Sequence, residues 1–199
     1  MPKLAAGKTT APPAPARRFR RVDPERRERI VDACLDVIAE AGVAGASHRK
    51  IAAAANVPLG SMTYHFEGME DILREAFTRF AGTVADSFER RLAKATDQSS
   101  AQAAVIEIIT EDVFGNQRDL VLTHELYTLA ARDPQFQNIT NTWMRRSRHA
   151  LEQHFDPLTA RLLDALIEGL TIHRALDNET RSAASDAEAV SRITRTIAP

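Results

Sequence analysis

The stretch from Ser47 to Phe66, SHRKIAAAANVPLGSMTYHF, constrains the chain more than any other, because its punctuation fits two short helices joined by a tight turn. Ser47 can cap the first helix with its hydroxyl, and Ile51, Ala52 and Ala55 recur at helical spacing to form one apolar face. The alanines at 52–54 let another helix approach closely. Asn56 falls where the turn needs a left-handed residue, a conformation that Asn tolerates better than most side chains. Val57 can plug the angle between the helices. Pro58 suits the first turn of a new helix, where its missing N–H has no partner to lose, so a second helix is predicted from about Pro58. Leu59, Gly60, Ser61, Thr63 and Tyr64 give that helix a face of hydroxyls and a Gly open to close approach, while Met62 and Phe66 are expected inside. Two helices so joined form a helix-turn-helix, which lays its second helix in the major groove of DNA.

The preceding segment supplies a third helix. Asp23 and Pro24 are expected as cap and first turn, and Ile30, Ala33, Cys34, Val37, Ile38 and Ala41 form an apolar stripe stopped by Gly42. With these residues in place, Arg26 to Leu73 resembles the N-terminal domain of the TetR family of transcriptional regulators. The matching positions are Ala33, Gly42, Ser47, Ile51, Ala52, Val57, Gly60, His65 and Phe66, over about a quarter of the chain. Departures stand at Asn56, Thr63 and Met69, where the family often has Gly, Tyr and Lys. The last two remove common phosphate partners, which Tyr64, Arg49 and Lys50 are expected to replace. The candidate DNA-contact residues are therefore Ser47, His48, Arg49 and Lys50 with Leu59, Gly60, Ser61, Thr63, Tyr64 and His65.

Charge is divided along the chain. The total of −1 is not that of a general nucleic-acid coat, but residues 1–66 hold 11 Lys and Arg against 6 Asp and Glu, whereas residues 67–199 hold 15 against 21. Lys3, Lys8, Arg17, Arg18, Arg20 and Arg21 lie in an acid-free arm, residues 1–22, whose prolines and scarcity of apolar residues predict disorder. Two readings of that arm stand: a solvated tail, or a segment that tracks phosphates or the minor groove. It lacks the apolar core of a signal peptide and the amphipathic period of a presequence, and no apolar run is long enough to span a bilayer. The lone Cys34 sits in the apolar stripe and reads as a core thiol. A cytoplasmic location is the expectation.

The remainder predicts an all-α fold of about nine helices in three parts: the arm 1–22, a helix-turn-helix domain 23–68 and a helical effector-binding and dimerisation domain 69–199. A long helix is expected from about Met69 to Ala95. Others should run near Ser100 to Phe114, Gln117 to Ala131, Pro134 to Phe155, Leu158 to Leu176 and Ala184 to Ile197. The resemblance implies that the last two helices form a four-helix dimer interface, for which Leu163, Leu166, Ile167, Leu170, His173, Val190, Ile193 and Ile197 are the candidates. A two-fold dimer also reads two half-sites of a palindrome, which one short helix cannot. Phe77, Phe80, Phe114, His124, Tyr127, Trp143 and Met144 are candidates for an apolar effector cavity, although aromatics at helical spacing also read as plain core. His124 beside Glu125, and the pair His149 and His154, lack metal-ligand spacing, so neither metal nor cofactor is expected.

The expected partners are thus palindromic double-stranded DNA, a second copy of the chain and a small apolar or amphipathic effector, with no membrane. Two alternatives remain: control by a protein partner, and an enzyme using the helical cavity. The chain offers no nucleophile–base pair, phosphate loop or spaced carboxylate cluster for the latter.

Overall fold

The computed structural model describes residues 23–112, 116–178 and 182–195. Among these residues the chain is all helical: α1 (Arg26–Gly45), α2 (His48–Ala54), α3 (Gly60–His65), α4 (Met69–Leu92), α5 (Gln98–Glu107), α6 (Gln117–Ala130), α7 (Pro134–Leu151), α8 (Pro157–Leu176) and α9 (Ala183–Thr194). A π-helical turn, Ile108–Asp112, continues α5. The expected arm, Phe114, Gly115 and Ile197 lie outside the described residues. No helix among the described residues is long and apolar enough to cross a membrane.

Short polar side chains set most of the helix starts. Ser47, Asn116, Asp133, Asp156 and Ser182 each accept a backbone N–H of the following turn, and Asp97 with Ser100 closes a capping box. Pro134 and Pro157 occupy first-turn positions where no hydrogen bond is forfeited. Asp23 does not act as the expected cap. Glu25 stands at that position, and Asp23 instead accepts from Arg29 at 2.7 Å and pairs with Arg26. Gly42 breaks α1 as expected, with φ +68°, although one further turn follows to Gly45. α4 and α7 stop short of Ala95 and Phe155, each closing in turns.

Two apolar clusters hold the helices together. The first runs without interruption from Ile30, Cys34, Ile38, Ile51, Met62 and Phe66 through Ile72, Phe77 and Phe80 to Leu122, Leu126, Phe136 and Trp143. It joins the helix-turn-helix to α4, α6 and α7 in one core. The second gathers Phe88, Leu92, Val105, Ile108, Leu151, Leu163, Ile167 and Val190 from α4, α5, α7, α8 and α9.

Candidate nucleic-acid interface and effector site

The helix-turn-helix is built on a buried underside. Ile51 and Met62 are 0% and 1% exposed, and burying side chains of this size contributes about 1.5–3 kcal/mol each. Asn56 makes the turn with φ +52°. Pro58 starts a tight turn, Ser61 N–H donating to Pro58 O at 2.8 Å, so α3 proper begins two residues later than expected, at Gly60. Arg27 of α1 lies 5.0 Å from the centre of the Phe66 ring and pairs with Glu75 of α4, which ties the end of α3 to both neighbours.

The outer surface carries the polar groups. Tyr64 is 83% exposed and Leu59 55%, with Arg49, Lys50, Gly60 and Thr63 also exposed and His48 and Ser47 half-buried. No carboxylate occurs between Glu40 and Glu67, so the whole unit presents no negative side chain to a phosphate. The Lys50 ammonium donates to Gly45 O at 2.7 Å, closing the end of α1, and Ser47 is occupied in capping α2. Half-buried His65 packs edge-on to Tyr64 at 4.8 Å, and desolvation followed by the charges of Arg26 and Arg27 holds its pKa below the usual histidine value. Ser61 is the exception to the expected face. It is 2% exposed and its Oγ is buried without a partner, so it presents nothing to DNA.

The expected effector residues divide. Phe77 is fully buried and meets Phe136 edge-on at 6.1 Å. Phe80, Trp143 and Tyr127 come together, Phe80 edge-on to Trp143 at 6.2 Å and Tyr127 tilted by 30° against it at 6.1 Å. Met144 is half-buried on α7, and half-buried His124 sets Nδ1 against Leu120 O at 2.8 Å. Two grooves border this region. One of about 320 Å³ lies between α4 and α7 beside Gly82, Ile139, Trp143 and Arg146. The other, of about 340 Å³, is bounded by Leu120, Val121, His124 and Glu125 of α6 and by Leu176.

The polar groups that α6 and α7 present to α8 are absent from the sequence-based expectations. Tyr127 donates to Glu168 Oε2 at 3.0 Å, and Arg148 pairs with Asp164 at 3.2 Å. Desolvation, followed by the Glu168 charge, pushes the Tyr127 phenol well above its ordinary pKa. Desolvation also raises the Glu168 and Asp164 carboxyls. The available signal was a pair of acids four apart, Asp164 and Glu168, on a helix rich in Leu, Ile and Ala.

The expected dimer residues also divide, because α8 carries two apolar stripes. Leu163, Ile167 and Val190 are buried in this chain's own core, which corrects their assignment to an intersubunit face. Leu166, Leu170 and Ile193 are half-buried against that core, and His173 is exposed beside Asp177. On the opposite side of α8, Leu158, Leu162, Ala165, Gly169, Ile172 and Leu176 follow each other at alternating spacings of four and three. Leu158, Leu162 and Leu176 are 67%, 46% and 59% exposed. A Cβ added at Gly169 would meet nothing within 4 Å, so the fold of the single chain does not require the small residue. That spacing and those small central residues are what a helix-pairing seam needs.

Comparisons with known proteins agree on one family. Residues 30–76 match the model of bacterial regulatory proteins of the tetR family, and residues 98–199 match that of the tetracyclin repressor-like C-terminal domain. A candidate transcriptional regulator from Streptomyces coelicolor A3(2), SCO7518, is 58% identical, covers 87% of this chain and 100% of its own, and superposes with a TM-score of 0.82. The multidrug binding protein EbrR, solved with ethidium, is 32% identical over 86% of this chain and 99% of its own, with a TM-score of 0.72. The HTH-type transcriptional regulator BetI 1 of Chromohalobacter salexigens is 24% identical over 164 residues, 78% of this chain and 81% of that protein.

Proposed function

Because this chain belongs to the TetR family of bacterial transcriptional regulators, we propose that it is a homodimeric cytoplasmic repressor of a palindromic operator, released by a small amphipathic ligand. Residues 23–68 act as the DNA-binding domain and 69–199 as the effector and dimerisation domain. The observation that carries the reading is the acid-free outer face of α2 and α3, with Tyr64 and Leu59 projecting from a buried apolar underside.

Tyr64 and Thr63 supply hydroxyls to base edges or phosphates, Leu59 meets thymine methyls, and Arg49 neutralises phosphate. Gly60 leaves room for the DNA backbone, since no atom lies within 4 Å of where its Cβ would stand. The exposed seam of α8, with α9 beside it, pairs two subunits and sets the distance between their two α3 helices. EbrR, complexed with proflavin, ethidium and malachite green, supports a small-molecule effector for a chain of this shape. A ligand lodged among α4, α6, α7 and α8 prefers one arrangement of these helices. Because α6 packs on α1, that preference reaches the helix-turn-helix and shifts the spacing of the two reading heads.

Selection of bound duplexes from a random-sequence pool tests this. The expected result is enrichment of a palindrome whose half-site centres lie one helical turn, or a multiple of it, apart. Recovery of unselected sequence would overturn the regulator reading, and recovery of one asymmetric site would overturn the dimer.

A further inference from the structure

The outer face of α8 reads the same from either end. Leu158 and Leu176 stand nine residues either side of Ile167, Leu162 and Ile172 five, and Ala165 and Gly169 two. In a two-fold pair of like helices, residue i meets j wherever j meets i. An antiparallel pairing centred at the level of Ile167 therefore sets Leu158 against Leu176, Leu162 against Ile172 and Ala165 against Gly169. Large residues meet large ones at the ends, and small residues meet where the two axes approach. A parallel pairing would set each residue against its own copy and would gain nothing from this order.

One end of the seam borders a second feature. At Leu176 it reaches the groove of about 340 Å³ whose other wall is Leu120, Val121, His124 and Glu125 of α6. α6 meets α8 where Tyr127 donates to Glu168, and Leu120 lies at the Leu176 end. The two helices thus run in opposite directions, with Glu125 near the level of Ile172. The residue that the antiparallel pairing brings to Leu176 is the partner's Leu158, so the groove is open in one chain and roofed in two. Arg161 stands seven residues before Glu168, two turns along the same flank of α8, and that flank faces α6. The two-fold axis crosses an antiparallel pair at right angles, so like flanks stay on the same side. The partner's Arg161 is then presented to α6 at the level of His173, within one turn of Glu125. Arg161 is exposed and Glu125 half-buried, and neither forms an ion pair within its own chain among the described residues.

We propose that α8 pairs with its copy in this register and that the α6 groove is the docking site of the partner's α8, closed by Leu158 of the partner subunit, with Arg161 of the partner subunit on Glu125. This rests on the reading of the chain as a homodimer, and it adds the register and a contact beyond α8 and α9. Glu125 also lies against Gly42 at the break of α1. The subunit contact therefore bears on the helix that leads into α2, and a change in subunit arrangement reaches the reading head without passing through the aromatic cluster.

Oxidative cross-linking of the full chain tests the register, with Cys34 buried and silent. Leu158→Cys with Leu176→Cys should give a covalent dimer on a non-reducing gel, because the two sites lie about 27 Å apart along one helix and come within disulfide reach only across the axis. Either substitution alone leaves each thiol equally far from its copy and should give none. Val121→Cys with Leu158→Cys should also link two chains, across the groove. Arg161→Glu and Glu125→Arg should each weaken the dimer at least about fivefold in sedimentation, and the two together should restore it to within about twofold. A chain that sediments as a dimer but fails to link through Leu158→Cys and Leu176→Cys, or links through either alone, would overturn the register. Failure of the Val121→Cys link, or a double reversal no tighter than the singles, would overturn the groove contact. In each of these cases the homodimer reading stands; a wild-type chain that sediments as a monomer would overturn that reading and the inference together.

Discussion

Ser61 and Tyr64, three positions apart on α3, meet opposite surroundings. Tyr64 projects into solvent, so Tyr64→Ala should leave the melting curve within about 0.5 kcal/mol of wild type while costing about 1–3 kcal/mol of specific DNA affinity. Paired calorimetry and DNA titration read the two effects. Ser61→Ala should do the reverse. Its buried hydroxyl has no partner, and removing an unmet polar group of this kind is neutral or stabilising by about 1 kcal/mol, with DNA affinity unchanged. A loss of affinity from Ser61→Ala would place that side chain at the interface after all. The sequence showed hydroxyls on α3 but not which of them turn inward. A helix of six residues spans less than two turns, too short for its apolar period to fix an orientation. Glu168 was illegible for a related reason, since Asp164 and Glu168 read equally as a solvated edge of α8 until the neighbouring helices are in place.

At the level of the element, punctuation was the most legible feature. Ser47, Asn56 and Pro134 sit where capping and turn chemistry require them. Gly42 shows why such positions resist change. Its φ of +68° and ψ of 171° belong to a region that only Gly enters readily, and a Cβ there would stand 2.6 Å from Glu125 Oε1 on α6. Gly42→Ala should destabilise the chain by about 1–3 kcal/mol from backbone strain, read by thermal unfolding. Glu125→Ala in the same chain should recover only the smaller, steric part; full recovery would show that the backbone conformation carries no cost. α8 was harder to read, because its apolar residues fall on two opposite faces and a single pattern count merges them. Only the structure separated Leu163 and Ile167, facing the core, from Leu158 and Leu162, facing outward. Leu162→Arg should therefore yield a folded monomer in sedimentation experiments, since the residue is 46% exposed in the single chain. An unfolded variant, or an unaltered dimer, would contradict the seam.

Across the whole molecule, helical content and the order of elements followed from periodicity, and the family from a single ordered motif. The sharing of one core between the DNA-reading end and the aromatic cluster did not. Contacts such as that between Phe80 and Trp143 join residues far apart in sequence, and pattern within a helix is silent on them. That continuity from Ile51 and Met62 to Trp143 is a packed route between the middle helices and α2 and α3. The central claim is that two such units act together on DNA. It is tested most directly by comparing affinity for the full selected palindrome with affinity for a duplex carrying one half-site, at the same salt. The palindrome should bind two chains, and affinity should fall by at least about 10³ on the half-site, which keeps little beyond non-specific contacts. Equal affinity for both duplexes, with one chain bound to each, would contradict it.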